Sequence, residues 1–254
     1  MLVTVAATFD ATFRSIADVQ GWMTEGQARR LWDRASTLAA GASVVEIGSY
    51  HGRSAIVLAS AAADGVEVVT VDPHAGNDRG PQQIKAVAEE GERDHQTFLG
   101  NLKRAGVHER VRHVRHPSQS AAAQEAVEGE IDLLYIDGAH RYGPALADIR
   151  AWGARVADGG TMLIHDSFSS IGVTLAIMRA LFTSGEFRYI GRSQSMTEYR
   201  REQLKGVARV RNLLRQLAEL PWFARNVIIK VLITAKLGKL TRFLGHRDPA
   251  VWPH

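Results

Sequence analysis

The sequence predicts an α/β protein with a mostly parallel central sheet and helices on both faces. Short β-like runs alternate with longer helical patterns through residues 1–199, the order that a parallel sheet with crossover helices requires. Five such runs occur, and acidic, histidine and glycine residues follow their C-terminal ends, where an open α/β sheet holds its ligand. The 254 residues fit one large α/β domain or two small ones, and 45% apolar residues suffice for a core. With no cysteine, disulfide frameworks, thiolate zinc sites, iron–sulfur clusters and cysteine nucleophiles are excluded, and a reducing, cytoplasmic setting is the expectation. The opening MLVTVAATFDATF lacks a basic stretch followed by a continuous apolar one, and no run reaches 18 uncharged apolar residues. Neither secretion nor membrane spanning is expected.

Taken in order, residues 24–39 read as a helix with Thr24 as N-cap and Gln27 as its capping-box partner. The strand SVVEI (43–47) follows, then a helix over 54–63 and the strand VEVVTV (66–71). A helix over 96–105 stops at Gly106. Next come a strand at 111–115, a short helix at 120–127, the strand IDLLYI (131–136), a helix over 144–154 and the strand TMLIH (161–165). A helix over 172–181 leads to an edge strand at 187–190.

The net charge of +4 divides unevenly. Residues 1–199 carry 19 Lys and Arg against 24 Asp and Glu, a net of −5, whereas residues 200–254 carry 12 against 3, a net of +9. We therefore expect a catalytic domain over 1–199, including an N-terminal helical cap, and a basic amphipathic helical extension over 200–254. In that extension Leu204, Val207, Val210, Leu213, Leu214, Leu217 and Leu220 recur at helical spacing, and a second amphipathic stretch follows Pro221. Packing on the body or on a second copy, as a homodimer, is the favoured reading. Contact with an acidic membrane surface or a polyanion is the alternative.

The first strand runs into EIGSYHGRSA, residues 46–55. Gly48 and Gly52 let the chain turn and approach a ligand, and Ser54 opens a helix whose free N–H groups face the crevice. The loop has neither GxGxxG spacing nor a Lys-Ser/Thr ending, which disfavours hydride-transfer and phosphate-loop readings. Glu46 suits a cationic amine, since a carboxylate beside a pyrophosphate would be repelled. Asp72, 24 residues beyond Gly48, ends the second strand where an acid can accept both ribose hydroxyls. Each glycine alone also fits a plain tight turn.

The fourth strand ends in DGAH, with Asp137 and His140, and the fifth in HDS, with His165 and Asp166. Four ionisable groups at one crevice edge are costly unless they bind a cation, pair with one another or meet substrate. Two aspartates suit Mg²⁺ or Mn²⁺, with His165 keeping zinc open. His140 suits a general base. The structural alternative makes Asp137 a loop-orienting residue and the histidines satisfied boundary residues.

Over residues 41–168 the segments VVEIGSYHGRSAIVLA, VVTVDPH, SQS, LLYIDGAHRYGPALADIRAW and DGGTMLIHDSF resemble the class I S-adenosylmethionine-dependent O-methyltransferases, in particular the metal-dependent branch acting on small molecules. The resemblance implies a Rossmann-like fold. It places Glu46 beside the methionine moiety, wraps Gly48, Tyr50, Gly52 and Ser54 around it, and puts Asp72 on the ribose and Ser118 and Gln119 beside the adenine. It also makes Asp137 and Asp166 metal ligands, with Asp137 near the cofactor as well. Where the family's catechol enzymes carry a lysine base, this chain has His140. Where they carry a second metal aspartate it has His165, which leaves the coordination set open.

That resemblance implies in-line methyl transfer from a sulfonium to an acceptor oxygen, with a divalent ion orienting the hydroxyl. Polar, Gly-rich residues 75–83 form a candidate lid, and Tyr50, His51, His74, Tyr142 and Trp152 are candidate ring neighbours, Trp152 also reading as core. Arg141 and Tyr142 favour a polyhydroxylated acceptor, a sugar or oligosaccharide. The arrangement resembles enzymes that methylate the 1-hydroxyl of mannosides for methylmannose polysaccharides. Catechol-like and antibiotic natural products are the alternative acceptors. The acidic body shows no nucleic-acid recognition pattern, so no nucleic acid is expected. An iron oxygenase lacks its 2-His-1-carboxylate spacing here, and a non-catalytic cofactor-fold assembly protein is the remaining class.

Overall fold

A computed structural model describes residues 7–77, 84–248 and 252. Strands β1 (Ser43–Ile47), β2 (Glu67–Val71), β3 (Val111–Val114), β4 (Ile131–Ile136) and β5 (Val156–Ile164) run parallel, and β6 (Phe187–Ser193) and β7 (Met196–Arg201) close one edge as an antiparallel hairpin. The order is β3-β2-β1-β4-β5-β7-β6. Sequence order reverses between β1 and β4, and a crevice opens there at the strands' C-terminal ends. This is the predicted α/β, Rossmann-like class I architecture, larger by one strand than expected.

All of β1 is buried, because each face meets helices. The period-2 alternation of a strand sorts its side chains. Val45, Ile47, Leu134 and Ile136 join one core, with Trp152 and Ile149 of α6 (Tyr142–Gly153) and Ile177 of α7 (Ile171–Ala180). Val44, Leu133 and Tyr135 join the other. There they meet α1 (Phe9–Ser15), α2 (Glu25–Ala35), α3 (Arg53–Ala61) and Phe98 and Leu102 of α4 (Ala88–Arg104). Thr24 caps α2 in a full capping box with Gln27, as predicted. The short helix α5 (Ala121–Glu125) lies between β3 and β4.

The seventh strand escaped prediction because MTEYRR carries charges. Its Glu198 is 3% exposed, accepts from Arg30 and forms an ion pair with Arg34 at 2.8 Å, both on α2. That strand spans residues 196–201, so the expected division at 199/200 falls inside it.

Two helices follow, α8 (Gly206–Leu217) and α9 (Leu220–Thr234), then a 3-10 segment (Gly238–Leu244). Part of the predicted apolar face of α8 does not pack: Val207, Val210, Leu214 and Leu217 are exposed, while Asn212 and Gln216 are buried. Asn212 accepts from the backbone N–H of Tyr189 at 2.8 Å and donates to the carbonyl of Phe187 at 3.0 Å, so one amide serves both kinds of free group on the edge strand β6. Among the described residues no helix is long and apolar enough to cross a membrane.

Candidate active site

The C-terminal ends of β1, β2, β4 and β5 open on a cavity of about 1520 Å³. Gly48, Tyr50, Ser54, Asp72, Ser118, Gln119, Asp137, His140, His165 and Asp166 line it, which gathers most of the predicted site residues. Glu46 and Gly52 do not. Gly52 is the left-handed cap of α3, and a Cβ there would sit 3.1 Å from Phe98, so its part is to start the helix behind the loop.

The loops after β1 and β4 are stitched together. Asp137 N–H donates to the Ile47 carbonyl at 2.8 Å and Gly48 N–H to Val71 at 2.9 Å. At Gly48, with φ +84°, a Cβ would fall 2.2 Å from the Asp137 carbonyl oxygen, so only glycine permits this approach. Glu46 is fully buried just below the floor. The Ser54 hydroxyl donates to its Oε1, and Oε2 has no hydrogen-bond partner among the described residues. Burial pushes its carboxyl up to about 8.

Asp72 shapes the same loop. Its Oδ2 accepts from the N–H groups of Ser49 and Tyr50 at 2.9 and 3.0 Å, and its Oδ1 from His74 N–H at 2.7 Å. The Tyr50 ring stacks between Trp22 at 5.5 Å and His51 at 3.8 Å. Ser118 and Gln119 both donate to Asp148 Oδ1 on α6, at 2.6 and 2.7 Å, and Trp152 holds the Ser118 carbonyl at 3.1 Å. Burial raises the Asp148 carboxyl to about 6. Trp152 is therefore core, as its helical position allowed.

After β4 and β5, two imidazoles lie on two carboxylates. His140 Nε2 is 3.1 Å from Asp166 Oδ2 and 3.9 Å from Asp137 Oδ1, and His165 Nδ1 is 3.2 Å from Asp137 Oδ1. Tyr135 donates to Asp137 Oδ2 at 3.0 Å. Burial alone would raise the Asp137 carboxyl, but the facing imidazoles win and hold it well below the carboxylate range. Burial likewise acts downward on His140 and His165, and the carboxylates outweigh it in both, carrying His165 to about 9. The loop holding Asp166 is strained, with φ +54° at Asp166 and +55° at Phe168.

This geometry departs from the expected metal set of Asp137, His165 and Asp166. Among the described residues no group of three histidine or acidic side chains is placed to hold a metal ion. The imidazoles and carboxylates of this cluster face one another instead.

The cavity is also built from residues that the motifs did not reveal. Asp148 reads as an ordinary helix position, and Tyr135, which supports Asp137 from the core, as an ordinary strand position. More remote are Val227, Lys230, Val231 and Thr234 of α9, which form one wall. Asn226 fixes that wall by donating to the Phe168 carbonyl at 3.1 Å, and Lys230 Nζ by donating to Ser169 O and Oγ at 2.8 and 3.0 Å. Their helical spacing was legible, but nothing local linked them to a site 60 residues earlier. Of the candidate lid, Ala75 to Asn77 line the cavity and residues 78–83 lie outside the described residues.

A family model described as a methyltransferase domain matches residues 45–167. The chain is similar in fold to cofactor-bound Rv0187 from MTB, at 21% identity and a TM-score of 0.54, over 78% of this chain and 88% of that one. It is also similar to the SAH-bound methyltransferase PaMTH1 of Podospora anserina, at 17% identity and 0.55 over 77% and 86%. A third likeness is the O-methyltransferase TomG from Streptomyces achromogenes, involved in tomaymycin synthesis and solved with SAM, at 14% and 0.52 over 81% and 93%. Residues 45–167 thus match a methyltransferase domain, and the chain shares the class I, Rossmann-like sheet of these structures.

Proposed function

We propose that the cavity binds S-adenosylmethionine and transfers its methyl group to a hydroxyl of a small acceptor, with His140 as general base. The observation that carries this is the His140 Nε2 to Asp166 Oδ2 contact of 3.1 Å on the wall of a cavity whose other end is built from Gly48, Asp72, Ser118 and Gln119. The fit to the cofactor rests on residues present: a buried carboxylate oxygen of Glu46 without a partner, a floor that a Cβ at Gly48 would fill, and Asp72 facing the cavity. PaMTH1 and TomG, by their names solved with SAH and SAM, support the same ligand.

When bound, the cofactor supplies a sulfonium methyl whose C–S electron pair returns to sulfur. The chain then has three tasks. Glu46 receives the ammonium of the methionine part, the β1 loop and Asp72 hold the ribose side, and His140 accepts the acceptor's hydroxyl proton as the new O–C bond forms. Asp166 and Asp137 steady the resulting imidazolium.

A sugar or mannoside, methylated at its 1-hydroxyl, is the first reading of the acceptor. A catechol-like or natural-product acceptor is favoured by one observation: Trp22, Tyr142, Ile171 and Val231 line the cavity and remain exposed at its rim. Calorimetry with SAH, followed by transfer assays on mannosides, other glycosides and catechols with and without divalent metals, tests the proposal. Binding without turnover across that screen makes the chain a non-catalytic binding protein. The exposed stripe of α8 supports pairing of two copies, which sizing in solution checks.

A further inference from the structure

Resting on that methyl-transfer reading, we propose that α9 builds the acceptor subsite and that it takes an amphiphilic acid, a hydroxylated acceptor with a ring-sized apolar body and a carboxylate. The helix lies outside the matched residues 45–167, so the family does not supply it.

Val227, Lys230, Val231 and Thr234 recur at i, i+3, i+4 and i+7 and share the face turned to the cavity. Lys230 is half-buried there, and its ammonium has three N–H groups. Ser169 takes up contacts at 2.8 and 3.0 Å through its carbonyl and hydroxyl, and the Trp252 ring centroid lies 5.4 Å away. Among the described residues Lys230 makes no ion pair with a carboxylate; its charge is partly desolvated, its direct contacts are with neutral groups, and Asp166 acts on it only from beyond contact distance. Such a cation gains most from an anion arriving with the ligand.

The cavity's rim is apolar. Ile171 is 56% and Val231 59% exposed, and both line the same cavity as Lys230. An apolar body against them covers surface that a sugar's hydroxyl groups would leave poorly matched. Asp72, Asp137 and Asp166 line the same cavity and repel a carboxylate. An acid is therefore oriented with its carboxylate toward α9 and its hydroxyl toward His140.

Calorimetric titration of the full-length protein saturated with SAH tests this, using 3,4-dihydroxybenzoate, catechol and methyl α-mannoside as probes. The expected result is about tenfold tighter binding of 3,4-dihydroxybenzoate than of catechol, with the mannoside weakest. Lys230→Met should shrink the acid preference to less than about threefold, while Lys230→Arg keeps part of it. SAH affinity reports that each variant is folded. Equal affinity for acid and catechol in the wild type, a mannoside that binds tightest, or equal weakening of all probes by Lys230→Met overturns the subsite. The last outcome would make Lys230 only the pin that holds α9 to Ser169. Failure of SAH itself to bind brings down the methyl-transfer reading, a distinct result.

Discussion

Ser54, in the first turn of α3, gives its hydroxyl to the carboxylate of Glu46, eight residues earlier on β1, and leaves Oε2 buried without a partner. Burial raises this carboxyl to about 8, with the Ser54 bond acting downward and Asp137 and Asp72 upward. An ammonium at Oε2 would favour the ionised form. Affinity for S-adenosylhomocysteine should therefore rise with pH up to about 8 and then level. Glu46→Gln should bind roughly tenfold more weakly with a flat profile. The raised value also means that the folded chain keeps a proton that the unfolded chain loses above its ordinary 4.5, so Glu46 erodes stability between about 4.5 and 8. Calorimetry across pH 6 to 9 reads the first effect, and a pH-independent wild type would rule out the ammonium contact.

His140→Gln keeps a side chain of similar reach but cannot take up a proton near neutrality. Loss of the base should lower kcat by about 10²- to 10⁴-fold, with SAH affinity changed less than about threefold. Equal losses in cofactor affinity and kcat would make His140 a structural partner of Asp166 instead.

The strand-end residues were legible because the sheet's hydrogen bonding forces them together. Once SVVEI and IDLLYI are adjacent parallel strands, Gly48 and Asp137 must meet, as the 2.2 Å approach at Gly48 shows. What side chains do within that meeting was not legible. Spacing could not say that His165 would lie 3.2 Å from Asp137. Asp148 was invisible because its partners are 29 and 30 residues away. The seventh strand was hidden because Glu198 needs two arginines from α2 before it can be buried.

Gly48→Ala separates backbone strain from close approach. A left-handed φ costs a non-glycine residue about 1–2 kcal/mol, and the added methyl would also collide with the Asp137 carbonyl, a backbone atom that cannot swing away. A total loss of about 3 kcal/mol or more is expected. Gly41, at φ +89° with nothing within 4 Å of a built Cβ, is the matched control, and Gly41→Ala should lose only the strain part. Urea unfolding of both variants measures the difference, and equal losses would refute the close-approach argument.

Buried amides share the anchoring of the basic tail with Leu213, Leu220, Trp222 and Ile229. Asn212 is 3% exposed and serves the N–H of Tyr189 and the carbonyl of Phe187, so Asn212→Leu, close in size, strands two buried backbone groups on β6. Each uncompensated group costs about 1–3 kcal/mol, and a loss of about 2–4 kcal/mol is expected once partial exposure to water is allowed. Val210 is 57% exposed, and Val210→Ser should stay within about 0.5 kcal/mol of wild type. Because β6 and β7 are one hairpin and α9 is a wall of the cavity, the same Asn212→Leu change should loosen α8 and increase amide exchange at Tyr189 before global unfolding. Hydrogen exchange that leaves β6 protected in this variant, or a Val210→Ser loss as large as that of Asn212→Leu, would show that α8 is held by its apolar stripe after all.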